Sequence, residues 1–290
     1  MDTRDTNSKE DALKANMDTT DWKSLSKADR IRSLELEGYV VIPDLIEPSL
    51  IKKICNELDK LETKGHDYSE NQRGCSDVQW TDSPHTIDLI ANPPITTFLS
   101  ELLGDELICT SAAYALSRPG HPGIAIHTDA QPYGSEIFGV QASSPCLVRV
   151  LYYLDELTPL RSPLKVIPRS HLSLHADANP YNRYLAHEDE VMLTCKAGSA
   201  AIINQKVFHA NYPNHSNEDR RMLAIAYRPA WAGPINDVPE YDPKKVEKLP
   251  SNVIPLFKSP NTRNINFDVP NRPDKMAEHA HGISPRRWSS

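Results

Sequence analysis

Gly123-Ile-Ala-Ile-His-Thr-Asp-Ala-Gln-Pro-Tyr133 is the stretch on which the reading of the fold turns. It begins as an apolar strand, Ile124 to Ile126, that stops on His127 and Asp129 and then meets a Pro/Tyr turn. Side chains two apart on an extended chain share a face, so the imidazole and the carboxylate stand side by side. They supply two members of the 2-His-1-carboxylate set that holds non-haem Fe(II). A third ligand has to come from elsewhere. His-x-Asp recurs at His175-Ala176-Asp177 and His187-Glu188-Asp189. Both lie in a polar stretch with Asn and Pro breakers, which reads as surface loop. Only His127 sits where a strand opens into a loop, and strand ends hold a site more firmly than loops do.

Around this stretch the chain changes character. Residues 1–21 are polar and are expected to be disordered or loosely docked. Ser26 to Glu37 reads as a helix capped by Ser26, and Gly38 to Asp44 as a strand stopped by Pro43. A second helix starts near Pro48, with Leu50, Ile51, Ile54, Leu58 and Leu61 on one side. Thr63 to Pro84 has no period and is expected to be an irregular loop, long enough to line a pocket mouth. Pro93 and Pro94 open a third helix that closes at Gly104.

From there strands dominate: Leu107–Leu116, Ile124–His127, Cys146–Leu154, Leu164–Ile167, Val191–Cys195, Ser199–Asn204 and Arg221–Tyr227. Short strands between turn signals, behind a helical start, predict a mainly β protein: a jelly roll, or double-stranded β-helix, with a helical N-terminal layer. The domain is expected over residues 22–234. Residues 235–290, rich in Pro, Asn and Asp, read as an extension packed on the surface.

Composition narrows the class of function. At 290 residues the chain can bury a sizeable core, and a net charge of −7 gives no electrostatic footprint for nucleic acid or an anionic membrane. No apolar run approaches the ~18 residues of a membrane span, and the N-terminus has no secretory h-region. Five cysteines without a Cys-x-x-Cys pair argue against a disulfide framework or a zinc ribbon, so the cytoplasm is the expected compartment. The partner expected is a small molecule. The assembly, monomer or homodimer, is left open.

For the second histidine the candidates are His171, His209, His215, His279 and His281. His209 has the best context. It follows strand Ser199–Asn204 and a short turn, and it precedes Arg220 and Arg221 at the start of another strand. In a jelly roll such strands face the one that carries His127. His171 reads as a turn residue and His215 as a loop residue.

Taken together, His127-Thr-Asp129, Lys165-Val-Ile-Pro-Arg-Ser-His171, Ala197-Gly198 and His209 with Arg220 eleven positions later resemble the phytanoyl-CoA dioxygenase family of Fe(II)/2-oxoglutarate oxygenases. Glu37-Gly-Tyr-Val-Val-Ile-Pro-Asp44, followed by an amphipathic helix, is similar to that family's opening. The resemblance runs from about residue 30 to 233. It implies a jelly-roll core with His127, Asp129 and His209 as iron ligands. It implies that Arg220 pairs with the distal carboxylate of 2-oxoglutarate, with Asn211 near the same cosubstrate. An arginine fork matches a carboxylate bidentately; Arg221 is the competing candidate. The sequence departs from the family at Arg161-Ser-Pro163, where Asn-Gly is frequent, and at Arg169, where Gly is frequent. Asp129 is present, which disfavours the related halogenating chemistry.

The activity so implied uses Fe(II), 2-oxoglutarate and O₂ to hydroxylate an unactivated C–H bond, releasing succinate and CO₂. Tyr133, Arg149, Trp80 and His85 are candidates for the substrate pocket. A cupin-like metalloenzyme without 2-oxoglutarate and a non-catalytic binding protein on the same fold are the other classes considered.

Overall fold

The computed structural model describes residues 8–127, 147–172, 187–232 and 241–258. Its helices are α1 (Lys9–Lys14), α2 (Lys27–Leu36), α3 (Pro48–Leu58), α4 (Thr86–Ile90), α5 (Pro93–Leu103) and α6 (Pro243–Val246). Its strands are β1 (Tyr39–Ile42), β2 (Lys64–His66), β3 (Ser69–Cys75), β4 (Leu107–Ser117), β5 (Val148–Tyr153), β6 (Leu164–Val166), β7 (Val191–Leu193), β8 (Ser199–Asn204), β9 (His209–Asn211) and β10 (Arg220–Pro229). Among the described residues, a seven-stranded antiparallel sheet runs β1-β8-β5-β10-β4-β3-β2, and a three-stranded sheet runs β7-β6-β9. This is the mainly β, jelly-roll architecture expected from the sequence.

Strand alternation sorts the large sheet into two faces. On β5 and β10, Val148, Val150, Tyr152, Leu223, Ile225 and Tyr227 point to the helices and share a core with Ile54, Leu58 and Leu99. The intervening Leu151, Tyr153, Met222 and Ala224 point the other way, to Leu164, Val166 and Leu193 of the small sheet. Both faces are covered, so these strands read as nearly continuous apolar runs. Each fully buried aliphatic side chain contributes about 1.5–3 kcal/mol.

The helices begin where the sequence places their caps. Ser26 accepts from the Asp29 N–H at 3.2 Å, Pro48 opens α3, and Asn92 caps α5, which ends at Gly104 (φ 95°). Two buried tyrosines tie the sheet to α4: Tyr152 donates to the Leu89 carbonyl at 2.9 Å and Tyr227 to that of Ile90 at 2.7 Å. These carbonyls lie at the C-terminal end of the helix, where intrahelical donors run out.

Several elements differ from expectation. Thr63 to Pro84 is not all loop: it forms the hairpin β2–β3, whose β3 pairs with β4 at the sheet edge. Its polar residues hid it, since an edge strand is half wet and needs no apolar period. Ile124 to His127 is not a continuous strand. It meets β9 at the isolated bridge His127↔His209 and through the Ile124 N–H, which donates to the Asn211 carbonyl at 3.2 Å, just after Gly123 turns the chain at φ 88°. A Cβ at Gly123 would lie 3.0 Å from the Asn211 carbonyl, so glycine permits the approach. At the N-terminus, residues 16–18 are held to the small sheet: Met192 N–H donates to the Asn16 carbonyl at 2.7 Å and Asp18 N–H to that of Met192 at 2.9 Å. Toward the C-terminus, Tyr241 and Phe257 stack against Trp80 at ring distances of 5.2 and 4.7 Å.

Both departures from the family motif keep a left-handed backbone. Ser162 has φ 45° and Arg169 φ 66°, conformations that glycine adopts without strain. The turns are therefore those a glycine would make. Ser162 adds a hydroxyl that donates to the Tyr212 carbonyl at 2.9 Å.

Candidate active site

His127 and His209 face one another across the bridge, with reciprocal N–H···O bonds of 3.0 and 2.9 Å. Their rings lie 4.5 Å apart between centroids, with the planes at 46°. His127 Nδ1 sits 2.9 Å from the Ala125 carbonyl and His209 Nδ1 3.0 Å from that of Val207. A carbonyl only accepts, so each Nδ1 carries the proton and each Nε2 presents a lone pair. This is how metal-binding histidines are oriented and held in one tautomer. The donor set thus fits a borderline metal such as iron. Among the described residues no third His, Cys, Asp or Glu completes the set. Asp129, the expected carboxylate, lies outside the described residues, as does Tyr133.

The two histidines line a cavity of about 600 Å³. Its floor is the inner face of the large sheet, where Ala113, Ala115 and Ala224 are small and Leu151 and Met222 close the gaps. The hairpin β2–β3 forms its rim through Lys64, His66, Tyr68 and Gln72. The expectation that residues 63–84 line a pocket mouth fits this placement, although the hairpin was not foreseen. Arg149 and Asn211 also line the cavity.

Trp80 and His85 do not line it. Trp80 belongs to the aromatic cluster with Tyr241 and Phe257 on the helical side. The His85 ring is engaged by Glu57 Oε1, and its backbone N–H donates to Glu57 Oε2 at 3.1 Å. Their position near the end of an irregular stretch suggested a pocket; the packing of α3 and α4 takes them instead. His171 is a turn residue as expected, buried, with Nε2 2.8 Å from the Glu35 carbonyl.

The two arginines separate by strand parity. Arg221 points to the helical side, where it pairs with Asp59 at 2.8 Å and Asp155 at 3.2 Å. Arg220 points inward on the face of Met222 and is fully buried. Its Nη2 donates to Ser117 Oγ at 2.6 Å and approaches Ser162 Oγ at 3.4 Å, while Nε and Nη1 have no partner. Burial draws its pKa down from the ordinary arginine value. Ser117 in turn donates to Gln72 Oε1 at 2.5 Å, so a hydrogen-bonded chain joins Arg220 to the cavity rim. Orphaned donors on a buried guanidinium are costly and match the acceptors of a carboxylate.

Reading the sequence missed what surrounds Arg220. Tyr153, Ser117, Gln72 and His121 are all buried there, and the Tyr153 hydroxyl and both ring nitrogens of His121 have no partner. For Tyr153 the signal was present: on β5 it shares parity with Arg149 and Leu151, the inward face.

Residues 34–222 match the phytanoyl-CoA dioxygenase (PhyH) family. Among curated proteins, dioxygenase af480 of Aspergillus fumigatus is 24% identical over 140 residues, 48% of this chain and 43% of that protein. The chain therefore spans less than half the length of that relative. Iron/alpha-ketoglutarate-dependent dioxygenase ausU of Aspergillus calidoustus is 20% identical over 220 residues, 71% of this chain and 70% of that protein. Among solved structures, HygX from Streptomyces hygroscopicus with nickel and 2-oxoglutarate bound superposes with a TM-score of 0.60 at 14% identity, covering 71% of this chain and 88% of that one. A likeness at that identity establishes the shared fold. With the family match spanning most of the sheet and both histidines, the chain belongs to the phytanoyl-CoA dioxygenase family of Fe(II)- and 2-oxoglutarate-dependent oxygenases.

Proposed function

We propose that the chain is a dioxygenase that hydroxylates an unactivated C–H bond of a small molecule bound in the cavity, consuming 2-oxoglutarate and O₂ and yielding succinate and CO₂. The observation that carries this reading is the pairing of two kinds of group around one cavity. Two histidines with pinned Nδ1 atoms stand on its wall. A buried arginine with two unpartnered nitrogens stands one serine from its rim.

In this reading His127, Asp129 and His209 hold Fe(II), which supplies the activation of O₂ that oxidises the substrate as 2-oxoglutarate is decarboxylated. Arg220 holds the distal carboxylate and so orients the 2-oxo acid end toward the histidines. Asn211, next along β9 after Ala210, stands beside the same cosubstrate. The alanine floor and the β2–β3 rim hold the substrate, with Arg149 on the same cavity wall. The volume suits a ligand of ordinary small-molecule size, for which pockets run about 300–1,000 Å³. A cytoplasmic setting belongs to the same proposal.

The test is succinate release from 2-oxoglutarate by Fe(II)-loaded protein under air, with and without candidate small molecules. Release that His209→Ala abolishes supports the reading. Fe(II)-loaded, folded protein that never consumes 2-oxoglutarate contradicts it.

A further inference from the structure

His121 lies in the turn after β4, six residues before His127. It is 1% exposed, and neither Nδ1 nor Nε2 has a hydrogen-bond partner. A buried imidazole with both nitrogens idle lowers stability, so folding alone gives no reason to keep one. Its surroundings supply another reason. Arg220 is close enough for its charge to act on the ring, and burial, Arg220 and His66, in that order, push the His121 pKa down to about 3. The ring is therefore neutral and has one N–H to give. Arg220 beside it has idle N–H groups of its own and, among the described residues, no carboxylate within ion-pair reach. Arg220 keeps two idle nitrogens beyond its bond to Ser117, and His121 has an N–H with no acceptor; together they describe a receptor for a group that brings only acceptors.

The backbone around them is laced to hold that arrangement. His121 N–H donates to the Arg118 carbonyl at 3.0 Å, and Asn214 N–H donates to the His121 carbonyl at 2.9 Å. The Asn214 side chain also donates to the Ser117 carbonyl at 2.9 Å. Ser117 is the residue whose hydroxyl takes Arg220 Nη2. One asparagine thus fixes both the imidazole and the serine that positions the guanidinium. On its other side His121 meets the Tyr68 ring of the β2–β3 hairpin at 6.2 Å.

We propose that His121 is a binding residue for the distal carboxylate of 2-oxoglutarate, donating one N–H to it beside the guanidinium of Arg220. The inference rests on the cosubstrate reading above and deepens it. A charged fork alone accepts many anions. A fork with a fixed neutral donor at a second angle selects a carboxylate at one depth, and so selects the length of the 2-oxo acid.

The experiment compares wild-type protein with His121→Leu and His121→Gln under anaerobic conditions, loaded with Fe(II) and titrated with two acids. One is 2-oxoglutarate. The other is 2-oxopentanoate, which has the same carbon chain without the second carboxylate. In His121→Leu the affinity for 2-oxoglutarate is expected to fall about 10–100-fold, the effect of one hydrogen bond to a charged group. The affinities for Fe(II) and for 2-oxopentanoate are expected to stay unchanged. His121→Gln, which keeps an N–H donor, is expected to recover part of the loss and covers the case in which leucine does not fold. The ligand-free His121→Leu protein is expected to melt no lower than wild type, because idle polar atoms have been removed. Unchanged 2-oxoglutarate affinity in folded His121→Leu overturns the inference. Equal weakening of both acids also overturns it, by assigning His121 to structure. Wild-type protein that binds Fe(II) but not 2-oxoglutarate overturns the cosubstrate reading itself, and that outcome is visible before any variant is made.

Discussion

Replacing Arg220 by methionine separates a functional arginine from a structural one. The side chain is fully buried, with Nε and Nη1 unpartnered and Nη2 on Ser117 at 2.6 Å. Each orphaned buried donor costs about 1–3 kcal/mol, and the one strong bond returns about 1.5–3 kcal/mol. Exchanging such an ion for an apolar side chain of similar length is expected to stabilise the ligand-free protein by about 1–3 kcal/mol. At ~2–4 °C per kcal/mol for a domain of this size, the melting temperature rises by about 2–12 °C. Ser117 keeps its bond to Gln72, so no new orphan appears on that hydroxyl.

The ligand side moves in the opposite direction. Losing two charge-assisted hydrogen bonds removes about 3–6 kcal/mol of binding, or about 10²–10⁴-fold in the 2-oxoglutarate Kd. At a concentration near 100 times Kd, 2-oxoglutarate stabilises the wild type by about 2.7 kcal/mol, a shift of about 5–10 °C; the variant shows none. The assay is thermal melting with Ni(II), which occupies the site without turnover, with and without 2-oxoglutarate. An Arg220→Met protein that melts several degrees below wild type and keeps the ligand shift would refute the reasoning.

Arg221→Ala is expected to behave in the reverse sense. It leaves Asp59 and the largely buried Asp155 without their shared partner, so urea unfolding should show a loss of about 1–3 kcal/mol, with the 2-oxoglutarate Kd unchanged. The buried, neutral His121 predicts acid sensitivity. Its pKa is about 3 in the folded protein against ~6.5 unfolded, so below about pH 6.5 the unfolded chain takes up a proton that the folded chain refuses. Stability therefore falls as the pH drops from about 6.5 toward 3, by about 1.4 kcal/mol per pH unit from this one group. His121→Leu should flatten that slope by about 2 kcal/mol between pH 6.5 and 5, measured as denaturant midpoints; equal slopes would contradict it. The paired Glu57 adds to acid loss at lower pH. Burial raises its pKa, but the bonds from His85 and Ser83 outweigh that and lower it. Glu57→Gln should therefore weaken the protein above pH 4.5 more than below it, read from the same midpoints.

The sheet was legible because burial on both faces leaves an apolar signature. Val148 to Tyr153 and Met222 to Tyr227 read as central strands, but a run apolar on both faces hides its parity, so Arg220 and Arg221 were told apart only by the structure. The helix starts were legible for a local reason: Ser26, Pro48 and Pro93 sit where a helix N-terminus favours a capping hydroxyl or a proline. The β2–β3 hairpin was not. Its alternation is polar on polar, and what makes it a strand is β4, some forty residues later in the chain. Trp80 and His85 were misplaced for the same reason. Their surroundings are Phe257 and Glu57, partners that no local pattern reveals. At the site, His127 and His209 were recognisable from where strands end. His121 was not, because an imidazole in a Pro/Gly turn reads as solvated. Only the packing of Asn214, Ser117 and Tyr68 around it reveals a buried ring with nothing to bond to.

The measurement closest to the central claim is anaerobic addition of Fe(II) and then 2-oxoglutarate to the purified protein, followed in the visible. The account predicts a weak charge-transfer band in the wild type. It predicts no band in Asp129→Ala, and in Arg220→Met a band that forms only at 2-oxoglutarate concentrations higher by about 10²–10⁴-fold. Fe(II) bound to folded wild-type protein with no band, or a band indifferent to both substitutions, would contradict it.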